Sequence, residues 1–167
     1  VLALKPLIGI KAGFDNGAAP EGQAATFDVI AIDPDGKAIA VKDADWTLKR
    51  LTRDYQWFNA DGDWRYEAIL RSSKIAIGKI DIGAGKPAIL SQTLSWGEYR
   101  LEIAAEGLSP TSIDFSAGYY YGDSARSDTP DTLKIALDKP EAKTGDTINV
   151  KIEARYVGQA ADRGKNL

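Results

Sequence analysis

Apolar and polar residues alternate along much of the chain, and this period of two predicts β-strands. In residues 25–33, ATFDVIAID, the side chains of Phe27, Val29 and Ala31 fall on one face of an extended segment. Residues 74–82 and 99–103 repeat the pattern. No window of helical length shows apolar residues three and four apart with caps at both ends. The chain is therefore predicted to be all-β.

Turn-forming residues separate the alternating runs at the intervals of an antiparallel sandwich. They stand at residues 33–36, 61–62, 83–85, 96–97 and 109–110. We expect seven or eight strands up to residue 121, arranged as an immunoglobulin- or fibronectin-III-like antiparallel β-sandwich. Parity within the runs predicts a core that contains Phe27, Val29, Trp46, Leu48, Trp96, Leu101 and Ile103.

The alternation stops after residue 121 and resumes near residue 132. Residues 122–131, GDSARSDTPD, are polar and without apolar period, which is typical of a linker. Strand patterns return at 133–137 and 148–154. Because two strands alone are at best marginally stable, residues 132–167 are interpreted as the start of a second, truncated β domain, or as strands docked on the first domain at 1–121.

Composition narrows the functional classes. The 21 Lys and Arg residues are fewer than the 24 Asp and Glu residues and are scattered, which argues against nucleic-acid binding. The chain has no Cys and no His. Thiol nucleophiles, Ser-His-Asp triads and metals bound by His or thiolate are therefore excluded within it. We predict no enzyme activity, no catalytic residue, no cofactor and no metal site.

Several features of the sequence suggest that the chain is part of a longer polypeptide. No apolar run approaches the roughly 20 residues that cross a bilayer, so no direct membrane contact is predicted. The first six residues lack the length and flanks of a signal peptide. Met is absent throughout, including position 1. We expect the chain to be a piece of a longer polypeptide.

Residues 53–66, RDYQWFNADGDWRY, place five aromatic residues around an Asp-Gly pair. The segment could be a binding platform, a metal loop or the tip of a hairpin. An Asp-Gly pair between strands favours a hairpin turn. The calcium-loop alternative lacks the following acidic residue and the flanking helices, and the same holds for Asp33-Pro-Asp-Gly36. We predict a long ribbon-like hairpin whose tip, residues 59–63, lies in solvent.

Cross-strand aromatic pairs follow from this hairpin. Tyr55 and Trp57 share one face, and Trp64 and Tyr66 lie opposite them. With Tyr120 of the Tyr run at 119–121, these four residues are our candidates for a domain interface. A change of parity after residue 48 also predicts a bulge near residues 49–50.

Two further sets of residues have a functional and a plain interpretation. Asp61, Asp63 and Glu67 could form the paired carboxylates of a glycosidase, but Asp-rich turns occur for backbone reasons and the turn is favoured. In the linker, Ser124, Arg126 and Ser127 form a possible protease-accessible segment, with Arg126 suited to a trypsin-like enzyme. A plain connector is favoured there, since any flexible linker is nicked readily.

Several separated strings resemble the bacterial alpha-2-macroglobulins. They are residues 8–10, 27–36, 46–48, 53–57, 62–67, 96–102, 117–119 and 128–131. The closest resemblance is to the macroglobulin-like domain just before the bait-region domain, and residues 137–140 and 144–147 resemble the opening of that next domain. The resemblance covers nearly the whole chain up to about residue 159. Residues 141–143, Glu-Ala-Lys, depart from it where an aromatic is usual.

The resemblance implies a non-catalytic, scaffolding domain of a broad-spectrum protease trap. Family members present a bait segment that proteases cut, and in many a Cys-Gln thioester then captures the protease. Since this chain has no Cys, that chemistry would lie elsewhere in the parent. The implied partners are neighbouring domains of the same polypeptide and, through the parent, target proteases. The implied location is the periplasm, with the parent lipid-anchored or secreted there.

One rival interpretation of another class stands beside this one. Exposed aromatics such as Trp57 and Trp64 would also suit a stand-alone carbohydrate-binding or adhesive β-sandwich module. A hydrolase is a third class, and the missing nucleophile and base argue against it.

Overall fold

A computed structural model describes residues 5–118, 133–137 and 141–154. The strands are β1 (Leu7–Ala12), β2 (Ala18–Ala19), β3 (Ala24–Ile32), β4 (Val41–Ala60), β5 (Asp63–Ile82), β6 (Ala88–Thr93), β7 (Gly97–Ala104), β8 (Thr111–Ala117), β9 (Leu133–Leu137) and β10 (Val150–Ala154). Eight of them lie before residue 118, as predicted. Within the described ranges, no helix has the length and apolar character needed to cross a membrane.

The first eight strands form two sheets. One has three strands in the order β1-β3-β6, and the other has five in the order β2-β8-β7-β4-β5. The β1-β3, β3-β6, β4-β7 and β7-β8 pairs are antiparallel, while the two-residue β2 runs parallel to β8. The prediction of an all-β sandwich is confirmed, with this short parallel pair as an addition.

Residue contacts divide the chain into two compact units. The first contains the strands up to Thr52 and from Arg71 to Gly118. The second contains Arg53–Leu70 together with β9 and β10, which pair antiparallel as a separate two-stranded sheet. The division falls inside β4 and β5, because each of these strands is 20 residues long.

The hydrophobic core lies between the two sheets of the first unit, and aromatic rings join them. Phe27 of the three-stranded sheet lies 5.0 Å from Phe115 of the five-stranded sheet, measured between ring centroids. Phe14 contacts both rings at 5.5 Å, and Tyr99 stacks on Phe115 at 5.8 Å. Such pairs contribute about 0.5–1.5 kcal/mol each beyond the area that they bury.

Most of the core residues that were predicted from parity are buried in the structure. Six of the seven expected residues are buried: Phe27, Val29, Trp46, Leu48, Leu101 and Ile103. Trp96 is the exception, because it shares parity with Arg100 on the outer face of β7. Its backbone N–H donates to Glu21 and its carbonyl accepts from Arg50, and its ring lies close against Gly118. The prediction of Trp96 as a core residue is therefore wrong.

The predicted bulge near residues 49–50 is also wrong. Between Asp45 and Leu51, β4 pairs one-to-one with β7 without interruption. The irregular residue of β4 is Asp43 instead, which has a left-handed φ of 52°. Its N–H donates to the Asp81 carboxylate of β5 at 3.0 Å. Leu51 has the opposite parity to Leu48. It is buried, but it does not belong to the main core cluster, and this accounts for the change of parity in the sequence.

One glycine is required by close packing. A side-chain carbon at Gly78 of β5 would lie 2.8 Å from the indole of Trp46 on β4. The missing side chain therefore leaves room for that indole, which is only 9% exposed.

A buried tyrosine closes the corner that leads into β7. The Tyr99 hydroxyl donates to the Ser95 carbonyl four residues upstream at 2.8 Å, while the side chain is 1% exposed. Immunoglobulin-like sandwiches contain the same device, the tyrosine corner, at the start of the corresponding strand. The hydrogen bond fixes the path by which the chain turns into β7.

We predict that Tyr99→Phe lowers the free energy of unfolding by about 1 kcal/mol, because it removes this hydrogen bond and keeps the ring. Urea titration followed by circular dichroism measures the change. Tyr66→Phe, the same change on an exposed tyrosine, is the control and should stay within about 0.5 kcal/mol. Equal effects of the two substitutions would contradict the structural role of the corner.

Candidate interaction surfaces

The aromatic stretch forms the end of a long hairpin. Ala60 ends β4 and Asp63 begins β5, so Asp61 and Gly62 alone make the turn. Their φ angles are 56° and 90°, the left-handed values of a type I′ hairpin turn. Asn59 supports the turn, since its side-chain oxygen accepts from the Gly62 N–H at 3.1 Å. The prediction of a hairpin turn is confirmed.

Three of the ribbon's aromatic rings contact one another across the two strands. The Tyr66 ring centroid lies 6.0 Å from that of Tyr55 and 5.4 Å from that of Trp57, with edge-on geometry in both pairs. These are favourable arrangements of aromatic quadrupoles. The contacts hold the rings as one surface, as the cross-strand pairing predicted.

That surface is open to solvent. Trp57 is 43% exposed, Tyr66 37% and Trp64 71%. Large aromatic side chains are enriched at the centres of protein interfaces and scarce on free surfaces. We define the aromatic ribbon as Tyr55, Trp57, Trp64 and Tyr66. The remaining candidate aromatic, Tyr120, and the candidate linker residues Ser124, Arg126 and Ser127 lie outside the described residues.

The acidic residues of the turns at residues 33–36 and 61–62 lie where the geometry of a turn favours Asp. Asp33 accepts hydrogen bonds from the N–H groups of Asp35 at 3.0 Å and Lys37 at 2.8 Å, which closes its turn. Asp61 and Asp63 are exposed at the ribbon tip. In the part of the chain that the structure describes, no group of three or more acidic, His or Cys side chains is placed to hold a metal ion.

On the outer face of the five-stranded sheet, β4, β7 and β8 carry paired charges, while Ile75 and Ile77 of β5 are 48% and 70% exposed. Lys49 lies 2.6 Å from Glu102. Arg100 donates two hydrogen bonds to the Asp114 carboxylate, at 2.6 and 2.7 Å. These bonds lower the pKa of Asp114 and raise that of Arg100. Neighbouring strands thus neutralise each other's charges, as on a sheet face that meets water.

A second charge pair holds the irregular residue of β4. Asp81 accepts from Lys42 at 2.8 Å and from the N–H of Asp43. The hydrogen bond from Lys42, followed by that from Asp43, lowers the pKa of the Asp81 carboxyl. The Asp81 carboxylate therefore joins the edge strand β5 to Asp43, the residue of β4 with a left-handed φ.

Apolar side chains also occupy part of the outer face of the three-stranded sheet. Leu7 of β1, Ile30 of β3 and Ile89 of β6 are 45%, 40% and 70% exposed. We define these three residues as the apolar patch. The patch was not predicted from the sequence, although residues 29–32 are apolar at both parities, a pattern typical of a strand that is covered on both faces.

The β9–β10 hairpin of the second unit also has an apolar face. Val150 pairs with Leu137 and Ile152 with Ile135, so the four side chains share one side of the pair. Their exposures run from 37% for Leu137 to 60% for Ile152.

Comparison with protein families gives a decisive match. The sequence model of the family described as "Bacterial macroglobulin domain 6" matches residues 9–119, which is most of the two-sheet sandwich. The chain belongs to this family. The expectation drawn from the separated strings at residues 8–119 is thereby confirmed.

Relatives of this macroglobulin domain are much longer than the chain itself. An alpha-2-macroglobulin of Xylella fastidiosa (strain 9a5c) is 35% identical over 159 residues, covering 92% of this chain and 10% of the relative. The alpha-2-macroglobulin of Escherichia coli (strain K12) is 32% identical over 143 residues, covering 83% and 9%. The chain thus spans about a tenth of the length of the curated relatives it matches.

Solved structures likewise match most of this chain and only a small part of a much longer one. The native conformation of E. coli alpha-2-macroglobulin matches with a TM-score of 0.63 and 30% identity, over 90% of this chain and 10% of that one. The E. coli protein activated by porcine elastase matches with a TM-score of 0.60 and 29% identity, over 80% and 11%. Both likenesses extend over most of this chain and about a tenth of the E. coli protein.

We predict that Asp114→Asn lowers the melting temperature at neutral pH but not in strong acid. The folded-state pKa of Asp114 lies below the value of about 3.9 expected in the unfolded chain. Ionised Asp114 therefore stabilises the fold above that pH, and the stabilisation is lost as the pH falls through the folded-state pKa. Thermal melts of both proteins between pH 7 and pH 2 measure the difference.

The control is Asp15→Asn, which makes the same charge change at an exposed bend. The difference in melting temperature between wild type and Asp114→Asn should shrink as the pH drops below about 4. A difference of the same size at every pH would show that the Arg100 pair does not account for it.

Proposed function

We propose that this chain is a non-catalytic structural domain of a bacterial alpha-2-macroglobulin-like protease inhibitor. The single observation that carries the proposal is the likeness to native E. coli alpha-2-macroglobulin over 90% of the chain at 30% identity. The relatives' names supply the alpha-2-macroglobulin identity, and the elastase-activated E. coli structure supports response to a protease. The parent would be a broad-spectrum protease trap of the periplasm, lipid-anchored or secreted there.

The domain organisation is part of the proposal. Residues 1–121 form the macroglobulin sandwich, residues 122–131 a linker, and residues 132–167 the start of a second β domain. Two observations support these boundaries: β8, the last strand of the sandwich, ends at Ala117, and the β9–β10 hairpin has an apolar face of its own. Linker residues Ser124, Arg126 and Ser127 would be accessible to proteases.

The domain supports and positions other parts of the parent protein, since it has no Cys or His side chain for covalent or acid–base chemistry. With no Cys or His in 167 residues, any covalent capture of a protease would use residues elsewhere in the longer polypeptide. The aromatic ribbon and Tyr120 would contact neighbouring domains of that polypeptide. The exposure of Trp57, Trp64 and Tyr66 supports this role.

A trapping assay on the longer polypeptide tests the proposal. Incubated with porcine elastase, it should suppress cleavage of a large protein substrate while cleavage of a small chromogenic peptide continues, because a trap excludes substrates by size. The 167-residue chain alone should do neither. Unchanged cleavage of the large substrate by elastase with the longer polypeptide would contradict the proposal.

Matched variants separate the ribbon's role from the parent's activity. Trp57→Ala removes a ring from the aromatic ribbon, whereas Phe58→Ala removes an equally exposed ring, 42% against 43%, from the opposite face of β4. We expect weaker trapping in the first variant and not in the second. Glycan binding by the chain that Trp57→Ala and Trp64→Ala abolish would instead support the carbohydrate-binding alternative.

A further inference from the structure

The sequence contains three pairs in which Asn or Asp precedes Gly, and all three lie in exposed turns. They are Asn16-Gly17, Asp35-Gly36 and Asp61-Gly62. Asn16 and Gly17 have φ angles of 56° and 66°, and the Ala18 N–H donates to the Asp15 carbonyl at 3.1 Å, as in a type I′ turn. This turn leads into the two-residue strand β2.

An Asn-Gly pair carries the groups for a reaction within the main chain. The Gly nitrogen, after losing its proton to solvent, attacks Cγ of the Asn side chain, and the carboxamide nitrogen leaves as ammonia. Water then opens the resulting succinimide ring at either carbonyl. One opening gives aspartate, and the other gives isoaspartate, in which the main chain runs through Cβ and Cγ. Gly favours the attack because it has no side chain to obstruct its nitrogen.

Hydrogen bonds occupy the attacking nitrogen in two of the three pairs. The Gly36 N–H donates to the Asp33 carbonyl at 3.0 Å. The Gly62 N–H donates to the side-chain oxygen of Asn59 at 3.1 Å. Both pairs also begin with Asp, whose carboxylate at neutral pH is a far poorer target for a nucleophile than a neutral carboxamide.

The Asn16-Gly17 pair differs in both respects. Among the described residues, the Gly17 N–H has no acceptor and the Asn16 carboxamide has no hydrogen-bond partner. Both residues are exposed, and a side-chain carbon at Gly17 would meet no atom within 4 Å. Solvent therefore reaches the attacking nitrogen, its target carbon and the ammonia that leaves.

The carbonyl of the same pair holds the edge strand β2 in place. The Gly17 carbonyl accepts from the Ser116 N–H at 2.9 Å and from the Ser116 hydroxyl at 3.2 Å. The next residues, Ala18 and Ala19, pair with β8, and Ala19 is fully buried. Isoaspartate at position 16 adds one carbon to the main chain directly before Gly17, which would displace this carbonyl from Ser116. Aspartate adds only a charge.

We propose that Asn16 is a site of spontaneous deamidation, and that its isoaspartate product loosens β2 from β8. Water is the only co-reactant, and the loss of ammonia makes the change irreversible, so the product accumulates as the protein ages. The proposal concerns the 167-residue chain itself and does not depend on the proposed function.

Incubation of the folded chain at mildly alkaline pH, followed by mass spectrometry of tryptic peptides, tests the site. Peptides 12–37 and 54–65 contain Asn16 and Asn59 as their single asparagines, and Asn59 precedes Ala. Loss of ammonia and gain of water change the peptide mass, and electron-transfer fragmentation distinguishes isoaspartate from aspartate. A sample taken at time zero corrects for deamidation during digestion.

We expect deamidation at Asn16 to be at least about tenfold faster than at Asn59, with isoaspartate among its products. Equal rates at these two exposed asparagines would overturn the proposal.

The same incubation in guanidinium chloride, which unfolds the chain, tests whether the native turn leaves Asn16 reactive. Since both reacting groups are free in the folded chain, the rate there should be no more than about tenfold below the rate in denaturant. A larger reduction would show that the turn protects Asn16, and the assignment would be wrong.

Hydrogen exchange measured by NMR tests the effect on β2. The amides of Ser116 and Gly118 donate to the carbonyls of Gly17 and Ala19, so their exchange rates report the attachment of β2 to β8. In molecules with isoaspartate we expect both amides to exchange about tenfold faster than in the fresh protein.

Freshly prepared Asn16→Asp is the control, because it adds the same charge without lengthening the main chain. Its two amides should exchange as in the fresh wild type. Unchanged exchange in the isoaspartate form, or equally fast exchange in Asn16→Asp, would contradict the claim that the added carbon detaches β2.

Discussion

Contact between aromatic rings of opposite sheets is the interaction on which the first unit depends. Phe27 and Phe115 come from different sheets, and Phe14 and Tyr99 complete a four-ring cluster around them. Because the chain has no Cys, no disulfide joins the two sheets, and apolar contact between their inner faces holds the layers together. The tyrosine corner adds a hydrogen bond that fixes one member of the cluster.

Once the core is closed, the outer surfaces determine how the domain can be used. The charge-paired face of the five-stranded sheet satisfies its own polar groups. Large apolar side chains remain open to solvent on the apolar patch, on the aromatic ribbon, at Ile75 and Ile77 of β5 and on the β9–β10 hairpin. A domain with such surfaces suits a larger assembly, and the tenfold greater length of its relatives supports that setting.

The sequence predicts regular features well and irregular ones poorly, for physical reasons. Alternation identifies Phe27, Val29 and Leu48 as core residues because a strand repeats every two residues, and Asp61-Gly62 specifies its turn through left-handed backbone angles. Trp96 and Asp43 escape prediction because their positions depend on distant partners, Glu21 and Asp81. The apolar patch escapes because strand pairing between β1, β3 and β6 assembles it from separate segments.

The most direct test of this account is the unfolding free energy of Phe27→Ala, compared with Ile89→Ala on the outer face of the same sheet. Urea titration should show a loss of about 3–5 kcal/mol for the buried ring and less than about 1 kcal/mol for the exposed isoleucine in the isolated chain. If Phe27→Ala cost no more than Ile89→Ala, the aromatic contact between the sheets would not be what holds the sandwich together.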